Sequence, residues 1–325
     1  MSLLIHPGFH KTGTTWLQQQ LFSDSRYFLM MFDHEEIDGL FIRPHDLEFS
    51  VADVASEVAR RRAAAGSPVI EVISSENLSG QPFAGSLLSR TVAQRLADTC
   101  GPAKILLTVR AQLPITRSLY MQYLKRGGRL TIDKFLSYQP EPNYAWFNES
   151  VLKFGNLARC YGQLFGDENV LALPQELLAR DRRAWLGHFF RFVIGAEPPT
   201  DLDLDGRERT GVSPPASGMP LLRTANLFRE GPLNPNAIRT FGWLGDMLHR
   251  GAYRWKVGNG AAERTLNAVI RKRFSGQFAA DNKVLQNYCP VDLRALGYEM
   301  EADPAIIRDS GSSTIVVTES IGNGW

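Results

Sequence analysis

The chain has 325 residues, with 36 lysines and arginines against 34 aspartates and glutamates, so its formal net charge is +2. This balance gives no reason to expect a nucleic acid as partner, and no apolar run approaches the roughly 20 residues that a membrane-spanning helix needs. The cysteines, Cys100, Cys160 and Cys289, are scattered without a C-x-x-C pair, which fits a reducing compartment and offers no zinc site.

Signals for strands and helices alternate from the first residues, and a hydrophobic content of 44% is enough for a sizeable core. The sequence therefore predicts an α/β fold, with a central, mostly parallel sheet flanked by helices and with helical additions in the C-terminal half. The length allows one or two domains, and we expect a single domain over residues 1–303 with a tail over 304–325. Because the N-terminus enters a strand almost at once, without a signal peptide, we expect a cytoplasmic protein.

A strand is predicted at residues 3–5 and a helix at 14–22. Between the strand and the first turn of the helix lies the segment HKTGTTW, residues 10–16, which looks like a phosphate-binding loop with its lysine displaced. Gly8 and Gly13 have the glycine spacing of the usual nucleotide loop, G-x-x-x-x-G-K-[ST], yet Thr14 stands where that loop has lysine. This displacement argues against an ordinary ATPase and for a different group on the nucleotide.

The chemistry of the segment favours an anion site. Gly13 permits a tight turn and a close approach of the backbone. Thr14 and Thr15 would begin the helix, where free N–H groups favour a phosphate, and Lys11 adds a compact, mobile positive charge. The alternative is an ordinary strand–turn–helix junction whose threonines only cap the helix.

A second strand of interest ends at about Ile73 and is followed by a loop that contains Glu76. Before it, residues 27–50 have the pattern of an irregular, aromatic-rich insertion, and residues 51–65 that of a helix. If the strands are parallel, the loop emerges at the same sheet edge as the phosphate loop. In the alternative interpretation, Glu76 caps the next segment or pairs with a neighbouring arginine.

A third strand, at residues 104–109, ends at Arg110, and a helix is predicted over residues 111–126. The strand end directs Arg110 toward the crevice where open α/β sheets bind ligands. Ser118 follows about two helical turns into the helix. An arginine with a hydroxyl suits a second, separate phosphate, although a solvent-facing arginine and an ordinary helix serine would give the same sequence.

The two segments together, HKTGTTW and VRAQLPITRSLYMQYL, resemble the sulfotransferases that use 3′-phosphoadenosine 5′-phosphosulfate (PAPS). The resemblance is clear over residues 1–30 and 65–130 and weaker over 165–181 and 273–285. It implies a P-loop-like fold in which the first motif binds the 5′-phosphosulfate and the second motif, Arg110 and Ser118, binds the 3′-phosphate. The residues it implies for the first motif are Lys11, Thr12, Gly13, Thr14, Thr15 and Trp16.

The resemblance also implies an in-line transfer of the sulfuryl group, with 3′,5′-ADP as product and no metal. Family members use either Glu or His as general base, and the sequence around Glu76 resembles the Glu type. Lys11 would neutralise charge on the bridging oxygen. His10 could contact the sulfuryl group or the acceptor, although a structural or supporting role for His6 and His10 is the simpler interpretation.

Later segments supply two further hypotheses. The loop at residues 206–218, with Arg209 and Ser213, could close over the 3′-phosphate, although a solvated surface patch is the favoured interpretation. The aromatic segment NYAWF could form a wall for an acceptor, but core packing is the favoured interpretation. A strand is predicted at residues 169–173, with largely helical structure over 131–165 and after 182.

The functional prediction is a PAPS-dependent sulfotransferase acting on a hydroxyl or amine of a carbohydrate or small-molecule acceptor. An atypical P-loop kinase using ATP and Mg²⁺, and a nucleotide-binding module without catalysis, are the alternatives. The identity of the acceptor and the oligomeric state do not follow from the sequence.

Overall fold

A computed structural model describes residues 3–64, 70–138, 141, 146–202 and 214–301. Within them, five strands form one sheet in the order β2-β3-β1-β4-β5, and every pairing is parallel. The predicted α/β fold is confirmed. The strands are β1 (Leu3–His6), β2 (Phe28–Met30), β3 (Ile70–Ser74), β4 (Lys104–Val109) and β5 (Val170–Pro174).

Helices cover the sheet and make up most of the described C-terminal half. In chain order they are α1 (Thr14–Trp16), α2 (His34–Ile37), α3 (Val51–Ala63), α4 (Ser89–Cys100), α5 (Gln112–Lys125), α6 (Ile132–Ser137), α7 (Phe154–Phe165), α8 (Gln175–Arg180), α9 (Arg182–Ile194), α10 (Met219–Ala225), α11 (Gly242–Arg254), α12 (Asn259–Phe274) and α13 (Ala279–Gln286). None of these helices is long and apolar enough to cross a membrane.

The strands are apolar on both faces because both faces are covered, as a parallel sheet requires. On β1, Leu3 and Ile5 belong to a hydrophobic cluster that α3, α4, α5 and α7 complete, whereas Leu4 belongs to a second cluster completed by α9. The sheet is therefore the middle layer of three.

The strand order creates a crevice at the carboxyl ends of β1 and β4. These strands are neighbours, but the chain leaves β1 toward β2 and leaves β4 toward β5 on the opposite side. Such a switch point is where open α/β sheets bind ligands. The segments that follow β1 and β4 are the two motifs singled out in the sequence.

The prediction of an irregular insertion at residues 27–50 was wrong. This segment contains the edge strand β2 and the helix α2, and a π-helical turn, Asp38–Ile42, extends that helix. β2 has only three residues, too few for a periodic pattern, and it exists because Phe28–Met30 pairs with the start of β3. The helix predicted at 14–22 is present as α1, which continues into a π-helical turn, Leu17–Leu21.

The described part of the aromatic segment packs into the core. The Phe147 ring lies 4.7 Å from that of Phe135, and Trp146 makes an edge contact with the Tyr123 ring at 5.8 Å. Core packing therefore explains these two residues, while Tyr144 lies outside the described residues.

A buried ion pair ties α3 to the sheet. Arg62 Nε donates to Glu71 Oε2 at 2.8 Å, and the Glu71 side chain on β3 is only 1% exposed. Replacing Arg62 by alanine should lower the free energy of unfolding by about 3–5 kcal/mol, because it leaves a buried carboxylate unpaired. Urea unfolding measures this loss. The control is Arg60→Ala on the same helix, which breaks an exposed ion pair with Glu57. This variant should lower the free energy of unfolding by less than about 1 kcal/mol. Equal losses for the two variants would contradict the prediction.

Candidate active site

A cleft of ≈ 1120 Å³ opens at the carboxyl ends of the strands. It exceeds the usual range for a single small ligand, roughly 300–1,000 Å³, so it has room for two. The residues predicted from the sequence that line it are His10, Lys11, Gly13, Thr14, Thr15, Trp16, Glu76, Arg110 and Ser118. Thr12 is buried beneath the loop, and Arg209 and Ser213 lie outside the described residues.

The loop after β1 has two residues in left-handed backbone conformations. Gly13 has a φ of 96° and Lys11 a φ of 69°. The first is easy for glycine, but the second is unfavourable for a residue with a Cβ atom. Gly8 is needed for space, since a Cβ atom there would lie 2.7 Å from both His6 Nε2 and Thr14 Oγ1. Strain at Lys11 is typical of a position held for function.

The loop also presents unused hydrogen-bond donors. The first helical bond runs from the Leu17 N–H to the Gly13 carbonyl at 3.1 Å. Over the described part of the chain, the N–H groups of residues 13–16 have no hydrogen-bond acceptor. Thr14 Oγ1 contacts the Phe9 carbonyl at 3.4 Å, whereas Thr15 is exposed to the cleft. Clustered free N–H groups beside a lysine suit an oxyanion.

A buried chain of hydrogen bonds supports the loop from below. Thr12 Oγ1 donates its proton to the Phe9 carbonyl at 2.5 Å, so it accepts from Thr108 Oγ1 at 2.8 Å. Thr108 in turn accepts from His6 Nε2 at 3.1 Å. His6 Nδ1 is then an acceptor for Ser74 Oγ at 2.8 Å. The chain thus joins the ends of β3, β1 and β4 to the loop, places a proton on His6 Nε2 and fits the neutral Nε2–H tautomer of His6.

The buried position of His6 enforces that neutral state, because desolvation lowers its pKa to about 3. A folded-state pKa below the unfolded value of about 6.5 means that only the unfolded chain gains this proton as the pH falls from 6.5 toward 3. His6 therefore makes the fold less stable by about 1.4 kcal/mol for each pH unit below 6.5.

The variant His6→Gln should remove this pH dependence. We expect the stability advantage of wild type over the variant to shrink by about 1.4 kcal/mol per pH unit between pH 6 and pH 4, as measured by urea unfolding. His45→Gln, at an exposed position, is the control and should keep the wild-type slope. A constant difference between wild type and His6→Gln would show that His6 is not neutral in the fold.

Lys11 lies exposed at the cleft among other charges. Desolvation by the surrounding protein lowers its pKa first, repulsion from Lys125 and Arg110 lowers it further, and Glu76 opposes the change. The loop thus concentrates positive charge where an anion would compensate it.

Arg110 and Ser118 are in contact across the start of α5. Arg110 Nη1 donates to Ser118 Oγ at 3.0 Å and to the Lys11 carbonyl at 3.3 Å. Burial lowers the Arg110 pKa, and the nearby Glu176 raises it. The Glu176 oxygens are themselves engaged, one accepting from the Ala111 N–H at 3.1 Å and the other from Tyr298 Oη at 3.4 Å. Burial raises the Glu176 pKa.

His10 and Glu76 both line the cleft, and they lie close enough for the charge of Glu76 to act on His10. Within the described residues, His10 Nε2 and Glu76 Oε2 are buried atoms without a hydrogen-bond partner. Burial lowers the His10 pKa to about 4, with Glu76 as the main opposing influence. His34 Nε2 approaches Glu76 Oε2 at 3.9 Å. Unsatisfied buried polar atoms in a cleft are candidates for groups that act on a substrate.

Three residues of the site were missed in the sequence. Glu176 lies two residues after the end of β5, so the rule that ligands bind at strand ends could have found it. The Arg182 guanidinium lies 5.2 Å from the centre of the Trp16 ring, and His34 approaches Glu76; neither has a local signal. In the described part of the chain, no group of three or more His, Cys, Asp or Glu side chains is arranged to hold a metal ion.

Fold and site together define a parallel α/β protein in which a loop with free N–H groups and a lysine meets an arginine–serine pair at one switch point. No protein-family model matches the chain, and no curated protein matches it. Among solved structures, it is similar to a sulfotransferase from Alicyclobacillus acidocaldarius, with 19% identity, a TM-score of 0.43, and coverage of 63% of this chain and 87% of that one.

A second similar structure is the sulfotransferase domain of the Synechococcus PCC 7002 olefin synthase. It shares 14% identity, with a TM-score of 0.41, and the match covers 82% of this chain and 93% of that one. At these identities and scores, the function of the chain has to be argued from its own site.

Proposed function

We propose that the protein is a PAPS-dependent sulfotransferase. The observation that carries the proposal is a pair of adjacent groups at the crevice that are each suited to an anion: the Lys11 loop after β1, and Arg110 with Ser118 after β4. The 3.3 Å hydrogen bond from Arg110 to the Lys11 carbonyl keeps the two groups adjacent but distinct. The charges of PAPS match this arrangement, because its ribose carries a phosphosulfate at the 5′ position and a separate phosphate at the 3′ position.

The donor set of the cleft fits this molecule. Free N–H groups of residues 13–16 and the Lys11 ammonium suit the phosphosulfate, and the Arg110 fork with the Ser118 hydroxyl suits the 3′-phosphate. The Trp16 ring, with Arg182 near it, also lines the cleft and offers a flat aromatic surface for the adenine. The volume of ≈ 1120 Å³ leaves room for an acceptor beside the nucleotide.

The proposed reaction is an in-line displacement. PAPS supplies the sulfuryl group: a bond forms from the acceptor oxygen or nitrogen to sulfur as the bond from sulfur to the bridging oxygen breaks, and 3′,5′-ADP leaves. Glu76 takes the proton of the acceptor at its free carboxylate oxygen. Lys11 stabilises the negative charge that develops on the leaving oxygen. His10, neutral at pH 7, supports the acceptor or the sulfuryl group at its free Nε2 atom.

The acceptor is proposed to be a small molecule or carbohydrate with a hydroxyl or amine. Residues 1–303 are proposed to form the single catalytic domain, and Arg209 and Ser213 remain proposed contacts of the 3′-phosphate. The cytoplasmic location also remains a prediction.

Thermal unfolding with 3′,5′-ADP, with 5′-ADP, and with ATP plus Mg²⁺ tests the proposal. A ligand at 100 times its Kd adds about 2.7 kcal/mol of stability, which raises the melting temperature measurably. We expect stabilisation by 3′,5′-ADP and much less by 5′-ADP. Stabilisation only by ATP with Mg²⁺ would favour a kinase. Binding of 3′,5′-ADP without transfer to any acceptor would favour a nucleotide-binding module without catalysis.

The variant Arg110→Met should weaken 3′,5′-ADP binding by about 10- to 100-fold, because it removes hydrogen bonds from a charged donor. The same variant should leave 5′-ADP binding nearly unchanged. Isothermal titration measures both. Arg180→Met, an exposed arginine at the end of α8, is the control. Equal losses of affinity for 3′,5′-ADP and 5′-ADP would show that Arg110 does not bind the 3′-phosphate.

A further inference from the structure

The exposed hydrophobic side chains of the protein are concentrated in one region. Among the described residues, twelve large hydrophobic side chains are exposed, and half of them lie between residues 238 and 257. The most exposed of these six are Val257 at 76%, Trp243 at 67% and Ile238 at 55%, followed by Trp255 at 53%. Single exposed apolar residues are ordinary, but a cluster of this kind marks an interaction surface.

The cluster follows the outer face of α11 and the turn after it. Trp243, Met247, Arg250 and Arg254 are spaced four, three and four residues apart, which places them on one side of a helix. All four are exposed, whereas Gly245 and Ala252 on the opposite side are buried. The face therefore carries apolar side chains in its first half and arginines in its second half.

The turn between α11 and α12 continues this face. Trp255, Lys256 and Val257 are all exposed, and Gly258 ends the turn with a φ of 71°. We call the face and the turn together, Trp243, Met247, Arg250, Arg254, Trp255, Lys256 and Val257, the basic aromatic corner.

The corner lies in a basic part of the chain. Residues 238–275 contain eight lysines and arginines against two acidic residues, although the whole chain has a net charge of only +2. One of the acidic residues, Asp246, is paired with Arg229. Within the described ranges, Arg250, Arg254 and Lys256 form no ion pair with a carboxylate. The corner thus offers positive charge to an outside partner.

The corner also borders the mouth of the cleft. Lys256 belongs to both, and Tyr253 and Asn259, on either side of the turn, line the cleft as well. A partner bound at the corner would therefore lie next to the cleft.

We propose that the basic aromatic corner docks the protein on an anionic lipid bilayer. Indole rings prefer the headgroup region, and aliphatic side chains such as Val257 gain by entering the boundary with the acyl chains. Arginines beside them gain from the negative surface potential. A soluble polyanion would use the arginines but would leave the exposed Trp255, Val257 and Met247 without a role.

Co-sedimentation with vesicles tests this docking and does not depend on the sulfotransferase proposal. The wild-type protein should bind to phosphatidylcholine vesicles that contain 30% phosphatidylglycerol and should bind much less to vesicles of phosphatidylcholine alone. High salt should weaken its binding to the anionic vesicles. Trp255→Ser/Val257→Ser and, separately, Arg250→Glu/Arg254→Glu should each weaken binding about tenfold or more. Unchanged melting temperatures would show that both variants fold.

Matched controls lie elsewhere on the surface. Leu47→Ser/Leu87→Ser changes two apolar side chains that are 90% and 68% exposed, and Arg183→Glu reverses an exposed charge on α9. Both controls should bind like the wild type. Absence of wild-type binding, or equal losses in the controls, would overturn the proposal. Loss with the arginine variant alone would instead assign the corner to a soluble polyanion, and a dimer that only the Trp255/Val257 variant dissociates would assign it to a second copy of the chain.

Discussion

Replacing Lys11 by glycine should lower sulfuryl transfer by at least about 10²-fold and, at the same time, make the protein more stable. The two effects have separate causes. Transfer falls because the ammonium that stabilises the leaving oxygen is gone. Stability rises because Lys11 has a φ of 69°, which costs a residue with a Cβ atom about 1–2 kcal/mol and costs glycine nothing in the folded state.

The gain in stability is partly offset, since glycine loses more chain entropy on folding, by about 0.5–1 kcal/mol. A net gain of up to about 1 kcal/mol corresponds to a melting temperature roughly 2 °C higher for a domain of this size. Differential scanning calorimetry and a transfer assay on the same sample measure both effects. Lys11→Met is the matched control: it keeps the strained backbone and the long stem but loses the charge, so it should lose activity without gaining stability. A wild-type rate in either variant would remove Lys11 from the mechanism.

Replacing Glu76 by glutamine should lower transfer by about 10²–10⁴-fold and leave 3′,5′-ADP binding nearly intact. Glutamine has the shape of glutamate but cannot take up the proton of the acceptor. Because Glu76 Oε2 has no hydrogen-bond partner among the described residues, the substitution breaks no hydrogen bond of that atom. The rate constant kcat at saturating substrates, together with the Kd of 3′,5′-ADP, separates loss of chemistry from loss of binding.

The control for this variant is Glu263→Gln, because Glu263 also lines the cleft but accepts from Asn259 Nδ2 at 3.1 Å. We expect less than about fivefold loss there, since a neutral partner is compatible with that hydrogen bond. His10→Gln decides between two bases. A near wild-type rate in Glu76→Gln together with a large loss in His10→Gln would transfer the role of base to His10.

The sequence predicted the parts of the site that depend on neighbouring residues. The strand–loop–helix order around Lys11 follows from an apolar run, a glycine that turns the chain and a helical pattern. The sequence also paired Arg110, just before α5, with Ser118, about two helical turns further on, and in the structure Arg110 Nη1 donates to Ser118 Oγ at 3.0 Å. The wholly parallel sheet follows from the alternation of strands and helices.

The tertiary structure alone decided which distant residues meet. His6 joins Ser74 and Thr108 because β1 lies between β3 and β4, and Glu176 reaches Arg110 because β5 pairs with β4. β2, which the sequence did not reveal, brings α2 and its His34 to the Glu76 side of the cleft. The sequence by itself determined local backbone conformation, because steric limits and helical periodicity act over a few residues. Strand order depends on how all the helices pack on both faces of the sheet at once, so the partners it creates appeared only in the folded chain.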